Sequence, residues 1–256
     1  MKCFILTKRS LASIGFCFII GALAATIAVS STVKAVQTAS EPKEVPIYRV
    51  QSDSKQVAIS FDAAWGDEET NQLLDILDDE GVKATFFLVG DWVDNFPDDV
   101  KEIYSRGHDI GNHSDTHPHM PQLSIGDETA EIQKCNDKID AITGHAPTLF
   151  RAPYGDYNND VVKTVKSLGM YCVQWDVDSL DWKDPSPEQM CKTVLDKVCD
   201  GSIVLMHNGA KNTPAALPSI IEGIKDKGYE IVLIKDLIPE GEYYTDVQGE
   251  MHLTEN

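Results

Sequence analysis

The residues best suited to chemistry are His113-Ser114-Asp115-Thr116-His117, downstream of Ser60-Phe61-Asp62. Two imidazoles four residues apart can turn onto one face and grip one divalent cation, and the surrounding Asn-His-Ser-Asp-Thr-His-Pro-His run is too polar for core histidines. Zinc is the natural ion for imidazole ligands, with cobalt and nickel as alternatives. Asp62 ends an apolar run of Val57, Ala58, Ile59 and Phe61. A carboxylate there is costly without a partner or a task, and the task that fits is deprotonating a metal-activated water. Arg151, in Arg151-Ala152-Pro153-Tyr154-Gly155, can pair with Asp62 and hold its charge. Pro153 fixes the chain so that the Tyr154 N–H can face a developing oxyanion. His207 closes the run Ser202-Ile203-Val204-Leu205-Met206 and suits a general acid, its second ring nitrogen held by Asp181 or Asp178. Trp182, Tyr154 and Leu205 can line an apolar cradle beside these groups. His119, beyond Pro118, reads as a bystander.

These residues must be positioned by regular elements. Strand-like apolar runs occupy 57–61, 84–89, 148–150, 170–175, 202–206 and 230–234, with a shorter one before Gly111. Helical periodicities lie between them at 68–80, 98–106, 127–142, 158–168, 187–199 and 215–227. Gly81, Gly107, Gly144, Gly169, Gly201 and Gly228 punctuate the ends. Asp67, followed by Glu68 and Glu69, is the natural cap of the first helix. The alternation predicts an α/β fold with a mainly parallel sheet, and about seven units suit a distorted (β/α) barrel. In such a barrel chemistry gathers at the C-terminal strand ends. Asp62, His113, Arg151, Asp176, Asp178 and His207 each follow a strand-like run, so the separate motifs fall on one predicted rim.

Residues 1–35 read as a signal or anchor segment. Lys2, Lys8 and Arg9 precede an uncharged run from Ser10 to Val33, about long enough for the roughly 20 residues that span a bilayer. Positive charge before the run predicts an exported C-terminal part, held by an uncleaved anchor in preference to a cleaved signal ending near Ala35 or Ala39. Residues 36–54, with Pro42 and Pro46, read as a linker, 55–240 as the domain and 241–256 as a polar tail. The formal charge is −19, and residues 1–40 carry four cations and no acid, which leaves −23 on the rest. Such a surface repels phosphate backbones and excludes nucleic acid as a natural partner. Cys135, Cys172, Cys191 and Cys199 contain no C-x-x-C pair and read as free or buried thiols.

Taken in order, Ser60-Phe61-Asp62, His113 to His117, Arg151 to Tyr154, Asp178 to Trp182 and Leu205 to His207 resemble the five motifs of the polysaccharide deacetylase family, carbohydrate esterase family 4, over about residues 55–240. The resemblance implies a distorted (β/α) barrel and metal-dependent removal of N-acetyl or O-acetyl groups from glycans. It implies Asp62 as base, His113 and His117 as metal ligands, His207 as acid, Arg151 orienting Asp62 and Asp181 tuning His207. It also gives the cradle of Trp182, Tyr154 and Leu205 an acetyl methyl and a sugar face to hold. The chain departs from the family at one position. A second aspartate normally completes an Asp-His-His ligand set, and Ala63 stands there. Asp67, Asp115 or Asp62 itself is then the candidate third ligand. The Phe-Asp-x-x-Trp-Gly variant resembles a sporulation-associated branch of the family, which implies a cell-wall or spore-cortex peptidoglycan substrate.

Overall fold

In the computed structural model, residues 42–254 are described, and Glu44–Asn256 forms one compact unit. The signal or anchor segment and most of residues 36–43 lie outside the described residues. Among the described residues no helix is long and apolar enough to cross a membrane.

The central sheet is wholly parallel. It runs in the order β6 (Tyr171–Cys172), β5 (Leu149–Phe150), β4 (Asp109–Asn112), β3 (Thr85–Leu88), β2 (Gln56–Ala63), β8 (Ile203–His207), β7 (Val177–Asp178). β9 (Glu230–Val232) adds to the start of β2. The sheet curls into an open barrel wrapped by helices, as expected. α1 (Thr70–Asp79), α2 (Gly90–Asn95), α3 (Pro97–Ser105), α4 (Ile125–Thr143), α5 (Asn159–Ser167), α6 (Pro187–Leu195), α7 (Thr213–Asp226) and α8 (Ile234–Leu237) follow the strands in turn. Side-chain oxygens stop three helices at their N-termini: Ser124 accepts from the Asp127 N–H, Asn158 from Val161, and Ser186 forms a capping box with Gln189. α1 has Glu69 at its N-cap position and no side-chain cap; the Asp67 contribution is its backbone oxygen, which accepts from the Thr70 N–H at 3.0 Å.

The period-two alternation of β2 explains how one strand serves both core and site. Val57, Ile59, Phe61 and Ala63 face outward into the layer shared with the helices, together with Leu73, Leu77, Val204 and Ile220. Ala58 packs on the inner side with Phe87 and Ile203, and Ser60 and Asp62 continue that inner row toward the C-terminal rim.

Two boundaries differ from the sequence expectation. The stretch read as a linker belongs to the domain from Glu44 onward. Val45, Ile47 and Val50 are buried, Ile47 pairs beside Val173, and β1 (Arg49–Val50) lies parallel to β11 (Glu250–Leu253). The tail likewise forms β10 (Tyr243–Thr245) and β11, an antiparallel pair that completes a three-stranded sheet with β1. The open side of the barrel is the reason. β6 and β7 are the two ends of the main sheet, and Ile47 bonds both sides of Val173 through Cys172 O and the Gln174 N–H, which gives this segment an apolar seat. The four cysteines of the domain are free thiols, as the spacing suggested.

Candidate active site

Parallel register brings the chemistry to one rim. Asp62 at the end of β2 lies opposite His207 at the end of β8, and His113 follows β4, with its N–H on Leu88 O at 2.9 Å. Asp62, His113, His117, Tyr154, Asp178, Trp182, Leu205 and His207 line one cavity of about 490 Å³ with Ala64, Trp65 and Trp175. Four non-glycine residues around it, Ser114, His117, Tyr154 and Leu180, hold positive φ near +60°. Such strain is stored where the surroundings over-determine a loop.

The Asp62 carboxylate is 4 % exposed. Its Oδ1 accepts from Arg151 Nη1 at 2.6 Å, and its Oδ2 lies 3.5 Å from His113 Nε2. Arg151 is fully buried, donates to Ser60 Oγ at 2.9 Å and to Gln174 O at 3.1 Å, and stacks 4.0 Å over the Phe87 ring. Burial pushes the Asp62 carboxyl up, but Arg151, then His113 and His207, outweigh it and the net shift is downward. Asp62 is therefore ionised at neutral pH.

His113 donates from Nδ1–H to Arg151 O at 2.8 Å, which leaves Nε2 as the free lone pair. Burial lowers the basicity of both His113 and His117, the latter to about 4, so both imidazoles are neutral acceptors. Their rings meet edge to face, 4.9 Å apart. Sequence reasoning missed what holds this loop. Glu131 on α4 accepts from the Asp115 N–H at 3.0 Å and the Thr116 N–H at 2.8 Å, and Asn112 Oδ1 accepts from the Ser114 N–H at 2.7 Å. Both residues look like ordinary polar helix and strand positions in the sequence, and no local spacing links them to the histidines.

His207 is held by Asp181 alone of the two candidates. Asp181 Oδ1 takes the His207 Nδ1–H at 2.7 Å, and Oδ2 accepts from the His207 N–H at 2.7 Å and from Thr213 Oγ1 at 2.9 Å. Burial lowers the basicity of His207, but Asp181 more than reverses it and the net shift is upward, which favours the protonated ring. Asp178 instead caps the turn to Leu180, accepting its N–H at 2.7 Å. Asp176, expected on the rim, points away from it and accepts from Ser202 Oγ at 2.7 Å and the Ile203 N–H at 2.8 Å at the start of β8.

The third-ligand candidates separate clearly. Asp115 is paired with Lys138 of α4 and Asp67 does not border the cavity, so both fail. Ala63 is fully buried in the outer layer. The donors that remain are the two imidazoles and Asp62 Oδ2, the last 3.5 Å from His113 Nε2; among the described residues they do not draw together as a ready three-donor set, and His113 and His117 are the residues that would hold a divalent ion. Asp246, Glu250 and His252 also come together, but Asp246 Oδ1 accepts the Gln248 and Glu250 N–H groups of a turn and Glu250 pairs with Arg49.

Comparison with known proteins agrees with this geometry. Residues 49–173 match the family described as polysaccharide deacetylase. The "Uncharacterized protein YlxY" of Bacillus subtilis is 38 % identical over 195 residues, 76 % of this chain and 61 % of that protein. A "Peptidoglycan-N-acetylglucosamine deacetylase" of Bacillus cereus is 35 % identical over 208 residues, 77 % of this chain and 95 % of that protein. The crystal structure of BA3943, described as a CE4 family pseudoenzyme from Bacillus anthracis, superposes with a TM-score of 0.73 at 38 % identity, covering 75 % of this chain and 68 % of that one. A mutant of it is described as having restored enzymatic activity, with 39 % identity, the same TM-score of 0.73 and coverage of 75 % and 70 %. The chain belongs to the polysaccharide deacetylase family, carbohydrate esterase family 4. It spans less than two thirds of YlxY, and only 40 % and 44 % of the PdaC and PgdA peptidoglycan deacetylases.

Proposed function

We propose that this protein hydrolyses acetamide groups on N-acetylglucosamine or N-acetylmuramic acid residues of peptidoglycan or a related extracellular glycan, in the presence of a divalent metal such as zinc. The observation that carries the reading is the presence of two differently tuned proton carriers at one cavity: Asp62, whose carboxyl Arg151 holds below its ordinary range, and His207, whose ring Asp181 holds at 2.7 Å and makes more basic. A fold retained only for binding has no need of matched acid and base.

A divalent ion held by His113 and His117 would supply Lewis-acid polarisation of the acetamide carbonyl and acidify an adjacent water. Asp62 takes the proton of the attacking water on Oδ2, because Oδ1 is committed to Arg151. The Tyr154 N–H, on a residue that lines the cavity, would be the donor to the developing oxyanion. His207 gives its Nε2 proton to the leaving amine, and Asp181 stabilises the ring while it carries charge. The apolar wall of Leu205, Trp182 and Tyr154 holds the methyl group and sugar face. The basic start and apolar run of residues 1–35 support export, with the domain facing the cell wall, and the Phe-Asp-x-x-Trp-Gly motif supports a sporulation-related setting.

Ala63 favours a second reading, a glycan-binding protein that has lost turnover, and a pseudoenzyme of similar sequence and fold exists. Acetate release from N-acetylated peptidoglycan, assayed with zinc and cobalt, separates the two. Release abolished by Asp62→Asn and by His207→Ala supports hydrolysis. Saturable glycan binding without acetate under any metal establishes the second reading.

A further inference from the structure

The cavity is bordered by an indole that none of the five motifs assigns a task. Trp65 follows β2 and is 46 % exposed, in a loop that is otherwise pinned. The Gly66 carbonyl next to it accepts from Trp92 Nε1 at 2.7 Å and from Asn208 Nδ2 at 3.2 Å. Trp65 Nε1–H donates to Gly209 O at 3.3 Å. A side chain at 209 would collide with the Trp65 backbone oxygen and indole nitrogen, so Gly209 is the residue that lets the two loops meet. The indole lies over the His207 ring, centroids 5.0 Å apart and planes at 32°. One face is thus supported by the imidazole and the other side borders the open cavity.

The two sides of the cavity differ in a way that orders a substrate. His113 and His117 lie on one side with Tyr154, whose ring is 4.4 Å from His117. His207 lies on the other with Trp65. If the carbonyl faces the imidazole pair and the amine faces His207, the pyranose carbon that bears the amine must follow the amine to the His207 side. An apolar C–H face of a sugar ring is there presented with a fixed, half-exposed indole.

We propose that Trp65 is a specificity-determining residue, a stacking platform that takes the C–H face of a pyranose ring on the His207 side of the cavity. This rests on the acetamide-hydrolase reading for its orientation. Trp182, 54 % exposed with the Lys183 ammonium 4.5 Å from its ring centre, borders the same cavity and offers the glycan a second exposed indole. The Trp65 indole is seated on His207 and bonded to Gly209 O before the ligand arrives, which limits the ordering cost of binding.

The test measures binding of tetra-N-acetylchitotetraose to the full chain by calorimetry, with Asp62→Asn as background so that hydrolysis does not intrude. Trp65→Ala is expected to weaken binding about tenfold, equivalent to about 1.4 kcal/mol. Trp65→Phe keeps a planar face and is expected to recover most of the affinity. In a chain labelled with 5-fluorotryptophan, the resonance assigned to Trp65 through Trp65→Phe is expected to shift on addition of the tetramer, a readout independent of how well the alanine variant folds. Unchanged affinity in Trp65→Ala, with no shift of the Trp65 resonance while the tetramer binds, overturns the platform alone. Absence of tetramer binding by the Asp62→Asn chain, with no resonance shifted, overturns the N-acetylglucosamine-oligomer reading and the platform with it.

Discussion

Replacing Arg151 by methionine removes a cation from a fully buried site. The guanidinium is fully buried and makes three hydrogen bonds: to Asp62 at 2.6 Å, Ser60 at 2.9 Å and Gln174 O at 3.1 Å. Methionine fills much of the same volume over Phe87, so the loss is electrostatic rather than a cavity. Breaking a buried pair by removing one partner costs about 3–5 kcal/mol, because the remaining charge is left uncompensated. The effect carries its own pH signature. In the parent chain Asp62 titrates below its ordinary value, so its contribution is present above about pH 4 and lost as pH falls. In the variant burial acts unopposed by Arg151 and the carboxyl titrates above its ordinary value, so ionisation now opposes folding. The deficit should therefore widen as pH rises from about 4 to 7. Asp62→Asn combined with Arg151→Met removes both charges and should recover about 2 kcal/mol relative to Arg151→Met alone. Urea unfolding of the four chains at both ends of this range gives the cycle directly. A loss under about 1 kcal/mol, or a double variant no more stable than Arg151→Met, would refute the claim that Arg151 sets the charge of Asp62.

Ala63→Asp puts a carboxylate into the outer apolar layer with Ile59 and Phe61, so zinc affinity at His113 and His117 is expected to stay unchanged by calorimetry while the urea midpoint falls; an affinity gain of about tenfold would show that position 63 can turn to the cavity. His108 is buried with Nδ1 accepting the Ala84 N–H at 3.2 Å, and burial pushes it down to about 4. The fold favours its neutral form, so the His108 contribution is intact above its unfolded value of about 6.5 and is lost as pH falls toward 4. His108→Gln should flatten the stability profile in that window, measured by urea midpoints. Met251, 1 % exposed beside Val50, anchors β11 to β1, and Met251→Ala should cost about 2–5 kcal/mol in the same unfolding assay. A cost near zero would return the C-terminal strands to the status of a loose tail.

Much of the site was legible because parallel α/β folds deliver residues to a rim by a local rule. An apolar strand run ends, and the next polar residue lies at the C-terminal edge, which places Asp62, His113, Arg151 and His207 together without any knowledge of pairing. The rule failed at Asp176, where the residue after the run turned back to bind the start of β8. A side chain that ends a strand can face either way, and only the neighbouring strand decides.

The sequence alone determined the residue types, their order and the alternation that makes β2 half core and half site, since these depend on periods of two and 3.6 that are local properties of the chain. Tertiary structure decided the partners. Asp181 rather than Asp178 holds His207, Lys138 removes Asp115 from the site, Glu131 fixes the histidine loop from α4, and residues 45–50 and 243–253 join across about 200 positions of chain to make a sheet. Each of these contacts links segments far apart in sequence. Their energies come from desolvation and geometry at the meeting point, which neither segment carries by itself.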